Sequence, residues 1–414
     1  MAETNFIPKI KISSVQEIVK NDFLIGNNTY LEDVFYLDAF ESLWIDLQQN
    51  TVSIMHHQPV SFDMPDREEE IIQQFDKLFS EAVNMQFRKN AEYGYRQCLT
   101  LSGGMDSRAC LLKAVELGYN KDILCFNYAQ AGSIDYKVSL EIARDLGLDY
   151  LFYPMDAAVF VDRLDENMRC NDCQQGAIGS TGARTMACVL DTSNFGIINI
   201  AICGGELMGD LIFEKGNGIP VKLRKLLNFH SANATDYIFD PQMLLDNLRG
   251  SQNTAYMFID KCECISPFMD EDVFMFVSQI SPVLLANRSL YKKWMMQYIP
   301  NSYPITHWSG SAANTNALRI IFSRVVNKIQ KEIIGFGKND MNPIDYWFST
   351  QDQHAKRWTE EYIKLCNCIE NVDRECAVLA IAKSCWGQQW EKNINLVTAL
   401  RAIKDIYTVF GKIR

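Results

Sequence analysis

The stretch Ser102-Gly103-Gly104-Met105-Asp106-Ser107 constrains this chain more than any other, because of what flanks it. Before it lies a short apolar run, Gln97 to Leu101; after it, Ala109 to Leu117 has helical spacing and stops at Gly118. Strand, loop and helix are expected in that order. A second apolar run, Ile123 to Tyr128, precedes a helical pattern from Asp135 to Leu146 in which Val138, Ile142, Ala143 and Leu146 share a face, and Tyr150 to Tyr153 offers a third strand. Strands alternating with helices call for parallel pairing, with the helices laid on the sheet faces. Gly196 to Cys203 is nearly continuous in apolar residues and predicts a fourth strand, buried on both sides. The expected fold class is therefore α/β, a parallel sheet flanked by helices.

Upstream, Phe23 to Ile54 mixes short apolar groups with turn residues, and Thr51 to Met55 alternates like a strand, so a small, partly β segment is expected there. Arg67 to Asn90 carries Ile71, Ile72, Phe75, Leu78, Phe79, Ala82, Val83 and Phe87 at helical spacing. Beyond about Lys222 the patterning is mostly helical, as in Asp272 to Ile280, Leu290 to Tyr298, Leu318 to Ile334 and Glu391 to Phe410. This divides the chain into a small segment at 1–90, a central unit at 91–330 and a helical extension at 331–414.

A loop of this composition between strand and helix has the parts needed to hold a polyphosphate. Its glycines permit unusual backbone angles, its N–H groups and the helix N-terminus favour anions, and Ser102 and Ser107 add hydroxyls. Asp106 belongs there only if a cation lies between it and the phosphates, and Mg2+ is the natural candidate. The plainer alternative is a strand-to-helix turn with Ser and Asp as caps. An acidic residue after Gly204-Gly205 would face the same phosphates and complete a two-carboxylate site; Glu206 is the first candidate and Asp210 the second.

The Ser-Gly-Gly-x-Asp-Ser pattern resembles the signature of the ATP pyrophosphatase (PP-loop) superfamily, and there is no Gly-x-x-x-x-Gly-Lys-Ser/Thr loop of the kind that feeds γ-phosphoryl transfer. The resemblance implies cleavage of ATP between the α and β phosphates and an adenylated substrate. Ser266-Pro-Phe-Met-Asp270 resembles the Pro-Phe-Leu-Asp segment of asparagine synthetases, and Ala201 to Asp210 resembles their strand-end Gly-Gly loop. The likeness spans about Glu92 to Pro304 and implies an asparagine synthetase-like, ATP-binding domain. Carried over to this chain, it implies that Leu101, Ser102, Gly103, Gly104, Met105, Asp106, Ser107, Arg108 and Gly205 bind ATP and pyrophosphate, that Leu101 and the strand end Phe126-Asn127-Tyr128 meet the adenine, and that the metal is held by Asp106 with Glu206 or Asp210. Family members place a Lys near the developing charge; the corresponding stretch offers Lys292 first, then Lys293 and Arg288.

Glutamine-dependent asparagine synthetases carry an N-terminal glutaminase domain with Cys as residue two, whereas this chain begins Met1-Ala2 and has no Cys before Cys98. Residues 1–90 then read as a remnant or replacement of that domain, and the nucleophile as free ammonia, a separate amine, or an amine in the substrate itself. The expected partners are a small-molecule or peptide carboxylate and an amine donor, with a homo-oligomer admitted.

Forty Lys+Arg against fifty-one Asp+Glu leave a net charge of −11, so no overall basic field draws the protein to nucleic acid or anionic membrane. No apolar run approaches the roughly 20 residues needed to span a bilayer, and no secretion signal is read at the N-terminus. Thirteen Cys without such a signal point to reduced thiols and a cytoplasmic location. Cys170, Cys173, Cys262 and Cys264 have the number of thiols a zinc or iron–sulfur site wants, and a Cys-x-x-Cys pair with a third Cys serves some PP-loop enzymes that thiolate tRNA. That branch is one alternative to an amide ligase. A descendant that binds ATP without catalysis is another. His56-His57, His230, His307 and His354 show no metal spacing; His307 follows the cationic stretch and reads as a plain loop histidine, with a place facing the acceptor pocket as the alternative.

Overall fold

A computed structural model of the protein describes residues 8–38, 40–57, 61–210, 257–258, 260–299, 341–387 and 389–411. Helix α1 (Ile12–Asn21) leads into an antiparallel hairpin, β1 (Glu41–Asp46) and β2 (Thr51–His56). Next comes the long helix α2 (Glu68–Glu92). Glu68, Glu69 and Glu70 occupy its first turn, where negative charge meets the positive end of the helix dipole. Its apolar stripe, from Ile71 to Phe87, is buried along one face, as the periodicity predicts.

The parallel sheet is built from β3 (Gln97–Thr100), β4 (Ile123–Ala129), β5 (Asp149–Pro154), β6 (Ile197–Asn199) and β7 (Glu263–Ile265), with α3 (Met105–Glu116) and α4 (Ile134–Asp145) in the first two crossovers. Its order is β5-β4-β3-β6-β7 and every pairing is parallel. Side chains alternate across it. Leu99, Leu101 and Cys125 join α2, α3, Glu271–Ser278 and Ser289–Tyr298 in one core, while Cys98, Phe126, Ile198 and Cys264 face the helix Ala177–Val189 on the other side. A further core gathers α1, Asp352–Val372 and Trp390–Phe410. The first 92 residues thus contribute helices to two cores, α1 to one and α2 to another.

Two elements depart from the sequence pattern. The expected strand from Gly196 to Cys203 pairs only over Ile197–Asn199; beyond it, Ile202 N–H donates to Ile200 O at 2.7 Å and Cys203 takes a left-handed φ of 73°. The apolar run therefore ends in a tight turn at the sheet edge rather than in a longer ladder. Helix α3 begins at Met105, four residues ahead of its apolar pattern, so Asp106 and Ser107 are helical. The helix expected over Leu318 to Ile334, and His230 and His307, lie outside the described residues. No helix among the described residues is long and apolar enough to cross a membrane.

A buried polar knot fixes the helices against one another. Lys113 on α3, 1 % exposed, pairs with Asp76 on α2 at 2.9 Å, and Asp76 also accepts from Trp294 Nε1 at 2.9 Å. Lys113 also pairs with Glu116 at 2.9 Å, so its charge keeps a partner if Asp76 is replaced, whereas replacing Lys113 would take the cation from Asp76.

Candidate functional site

Strand β3 has β4 and β5 on one side and β6 and β7 on the other. The chain leaves β3 and β6 at the same edge of the sheet and in different directions, which opens a crevice outside the carboxyl ends of the strands, where open α/β sheets bind ligands. The loop 102–107 rises from β3, and the loop 204–210 from β6.

Within the first loop, Ser102 N–H donates to Ser107 Oγ at 3.1 Å, Gly104 N–H donates to Ser102 Oγ at 3.0 Å, and the two hydroxyls lie 3.1 Å apart. The loop is thus shaped by its own serines. Gly103 N–H donates to Asp135 Oδ1 at 3.1 Å, tying the loop to the buried first turn of α4. Gly104 is the N-cap of α3 and supplies no side chain, whereas Ser133, Asp156 and Asp270 cap their helices. The first-turn N–H groups of α3 are accordingly left for an anion. Arg108, fully buried, donates through Nε to Gly104 O at 3.1 Å and braces the loop from below.

Asp106 is where the two loops meet. Its Oδ2 accepts from Gly205 N–H at 3.1 Å and its Oδ1 accepts from Tyr291 Oη at 2.9 Å. A methyl group on Gly204 would lie 2.7 Å from Asp106 Cγ and 2.8 Å from Phe268 Cε2, so only glycine permits this approach. Phe268 belongs to the Pro-Phe-Met-Asp segment, and Asp270 at its end caps the helix Glu271–Ser278. That segment therefore acts through packing against Gly204.

Three carboxylates and one guanidinium share this crevice. Burial raises the pKa of Asp106, with the hydrogen bonds from Gly205 and Tyr291 opposing it. Glu206 is pushed up to about 7 by burial and by the charge of Asp106. Asp210 forms a two-toothed ion pair with Arg288, which sits in a left-handed conformation at the N-cap of Ser289–Tyr298. Burial alone would lower the Arg288 pKa; the hydrogen bonds it donates to Asp210 raise it. Of the three cations expected here, Arg288 reaches the acidic loop, Lys293 pairs with Glu68 at the exposed start of α2, and Lys292 is half-buried on the same helix.

The donor set fits a magnesium ion. Among the described residues no three His, Cys, Asp or Glu side chains are grouped to hold a metal unaided. Mg2+ is commonly held by one or two carboxylates, the remaining positions going to phosphate oxygens and water. Asp106 and Glu206 match that description: burial raises the pKa of both, against the opposing charge of Arg288, so a cation entering the crevice would favour their ionised forms. Asp210 has its counter-charge in Arg288.

A pH dependence follows. A carboxyl whose folded pKa lies above its unfolded value stabilises the fold below the unfolded pKa, and that contribution is lost as pH rises through the folded one. Metal-free protein is therefore expected to lose stability between about pH 4.5 and pH 7 through Glu206, with Asp106 adding in the same direction. Glu206→Gln should flatten that slope in thermal melts, and an unchanged slope would show that Glu206 is not the titrating group.

The residues expected at the adenine have mixed placements. Leu101 and Phe126 are fully buried in the two cores flanking the sheet. Asn127 donates through Nδ2 to Leu101 O at 2.7 Å and links the ends of β3 and β4. Tyr128 packs its ring over Gly182, where a methyl would lie 2.2 Å away. These side chains shape the wall from behind. Tyr291 and Asp135 were not expected from the sequence. Tyr291 lies one residue before Lys292, within the helical stretch read as cationic, and that proximity was the available signal.

Cys170, Cys173, Cys262 and Cys264 are not grouped to hold a metal. Cys173 is buried beneath Tyr30, whose Oη donates to Cys173 O at 2.7 Å. Burial raises the pKa of Cys98, Cys173 and Cys264 and pushes Cys262 to about 11, so these are thiols, not thiolates, near neutral pH.

Residues 96–173 match the family model described as "Queuosine biosynthesis protein QueC", which belongs to the PP-loop superfamily. The match begins at β3 and takes in the 102–107 loop, β4, α4 and β5. With the parallel five-stranded sheet and its flanking helices, this is the PP-loop, adenine nucleotide alpha hydrolase-like fold of an ATP-utilising superfamily. No curated protein matches the chain.

Proposed function

We propose that this chain is an ATP- and Mg2+-dependent, AMP-forming ligase that adenylates a carboxylate and transfers the acyl group to ammonia or an amine, in the manner of the synthetase domain of asparagine synthetases. The observation that carries the reading is the meeting of the two loops at Asp106, which puts a carboxylate at the open N-terminus of α3 and a second, Glu206, beside it. An anion-binding helix end next to two buried carboxylates makes sense when a phosphate and a divalent cation enter together. In the proposed reaction a carboxylate oxygen attacks the α-phosphorus and pyrophosphate leaves; the amine then attacks the acyl carbon, AMP leaves, and the amine loses a proton.

This chain's residues would do the positioning. The N–H groups of α3 and the hydroxyls of Ser102 and Ser107 receive the departing pyrophosphate, Tyr291 holds Asp106 in one orientation, and Arg288 keeps Asp210 from repelling the nucleotide. Bound Mg2+ would supply charge neutralisation at the phosphates.

The match to a queuosine biosynthesis family favours a second reading, in which the same ATP chemistry serves tRNA or modified-nucleoside synthesis. The raised thiol pKa values speak against sulfur transfer through the described cysteines, not against that wider class.

Incubation with labelled ATP and panels of carboxylates, amines and tRNA separates the readings. The ligase reading expects AMP and pyrophosphate in equal amounts, dependent on a carboxylate. Release of ADP and phosphate would sink both readings, and turnover that requires tRNA or a nucleoside precursor would select the second.

A further inference from the structure

Among the described residues the hairpin β1–β2 is a sheet of two strands, both of them edges. Such a sheet is marginal by itself and is normally completed by a third strand or a packed helix. Its register pairs Leu43 with Ile54 and Ile45 with Val52, which puts four aliphatic side chains on one face. They are 49, 52, 54 and 64 % exposed in the order Leu43, Ile54, Ile45, Val52, and Trp44 on the opposite face is 61 % exposed. Natural edge strands are usually guarded by Lys, Pro or a bulge. Here the paired residues contain no Lys, Arg or Pro, and the ladder runs unbroken from Glu41–His56 to Asp46–Thr51.

The hairpin is held at its base. Phe40 and Phe62 pack on the core beside α2, Phe62 N–H donates to Gln279 Oε1 at 3.0 Å, and its ring meets Phe276 edge-on at 5.6 Å. His57 N–H donates to Phe40 O, which fixes the alternation of the antiparallel ladder so that Val52, Ile54 and His56 turn their backbone N–H and C=O outward. Strand β2 is exposed along its whole length, while Glu41, Ser42 and Asp46 of β1 are partly covered. Of the two edges, β2 is the more exposed.

Charge chooses the occupant. From Asn21 to Asp66 the chain has eight Asp and Glu and neither Lys nor Arg. A second copy would bring the same acidic segment, and a net charge of −11, against itself. We infer that the edge of β2 docks an extended, cationic polypeptide segment with apolar side chains at alternate positions, which adds to the hairpin as a third strand. Main-chain bonds to Val52 and Ile54 would give the register, the aliphatic face would receive alternate side chains, and the acidic surroundings would select Lys and Arg. This docking site is independent of the chemistry proposed above.

The test uses the full chain and a fluorescent eight-residue peptide of alternating Val and Lys, with its Val/Glu counterpart as control. Saturable binding of the Val/Lys peptide is expected at low salt, weakened about tenfold or more at high salt, with no binding of the Val/Glu peptide. Val52→Lys/Ile54→Lys should lower affinity at least tenfold with an unchanged thermal midpoint, as both side chains are exposed; Ile54→Pro, which removes one outward N–H, should do the same. Equal binding of the two peptides, or binding indifferent to both variants, would overturn the inference. So would a concentration-dependent dimer abolished by the double variant, or binding to anionic lipid vesicles through this hairpin.

Discussion

Asp106→Asn is expected to lower AMP and pyrophosphate formation by about a thousandfold or more without unfolding the protein. The charge of Asp106 is the link between the helix end and any cation brought in with the phosphates, and losing about 4 kcal/mol of such stabilisation corresponds to roughly that factor in rate. Asparagine can turn its oxygen to Gly205 N–H and donate its amide N–H to Tyr291 Oη, so the two loops stay joined. Alanine removes both acceptors and leaves buried donors unsatisfied, at about 1–3 kcal/mol each. It also removes a carboxylate that burial disfavours. Asp106→Ala should thus be as inactive as Asp106→Asn, with the denaturation midpoints separating lost chemistry from lost structure. Activity within tenfold of the parent in the asparagine variant would exclude the metal role. A parent protein that binds ATP and never releases pyrophosphate with any acid or nucleic acid would instead be a binding module.

Most of what positions this crevice is local and was legible in the sequence. The apolar runs Gln97 to Leu101 and Ile123 to Tyr128 became β3 and β4 because both faces of the sheet are covered, the condition under which strands read as continuous apolar text. Asp106 carries its own signal, a carboxylate in a loop otherwise made for anions. Less legible were features that depend on residues far apart in the chain. Strand β7 is three residues long and pairs with β6 across more than sixty intervening positions, so no periodicity announces it. Phe126 and Leu101 satisfy two descriptions at once, core residue and pocket wall, and only the packing shows that their side chains face the cores. Among Arg288, Lys292 and Lys293, charge alone gives no preference; Arg288 reaches Asp210 from a left-handed residue ahead of the helix, and the phase that directs Lys293 to Glu68 becomes clear only when the buried face, Leu290, Tyr291, Trp294 and Met295, is known.

Gly209→Ala should be the most damaging single methyl in the site. Gly209 has a φ of 125°, outside the region a residue with a Cβ occupies at ordinary cost. The added carbon would lie 2.0 Å from Leu285 O and 3.1 Å from Arg288 N. Both are backbone atoms, so no side-chain rotation relieves the contact. Either the 206–210 loop or the turn before Ser289–Tyr298 must move, and each movement pulls Asp210 from Arg288 and Tyr291 from Asp106. Unfavourable φ and overpacking together suggest a loss of about 2–5 kcal/mol. Gly147 supplies the control: its φ is also positive, at 65°, but nothing lies within 4 Å of an added Cβ. Gly147→Ala should cost about 1 kcal/mol and leave ATP turnover unchanged. In chemical denaturation the Gly209 variant is expected to unfold well before the Gly147 variant, and to have lost AMP formation at denaturant concentrations where it is still folded. Equal midpoints for the two would mean that the acidic loop does not rest on the Leu285–Arg288 backbone, and the arrangement of Asp210, Arg288 and Tyr291 around Asp106 would fall with it.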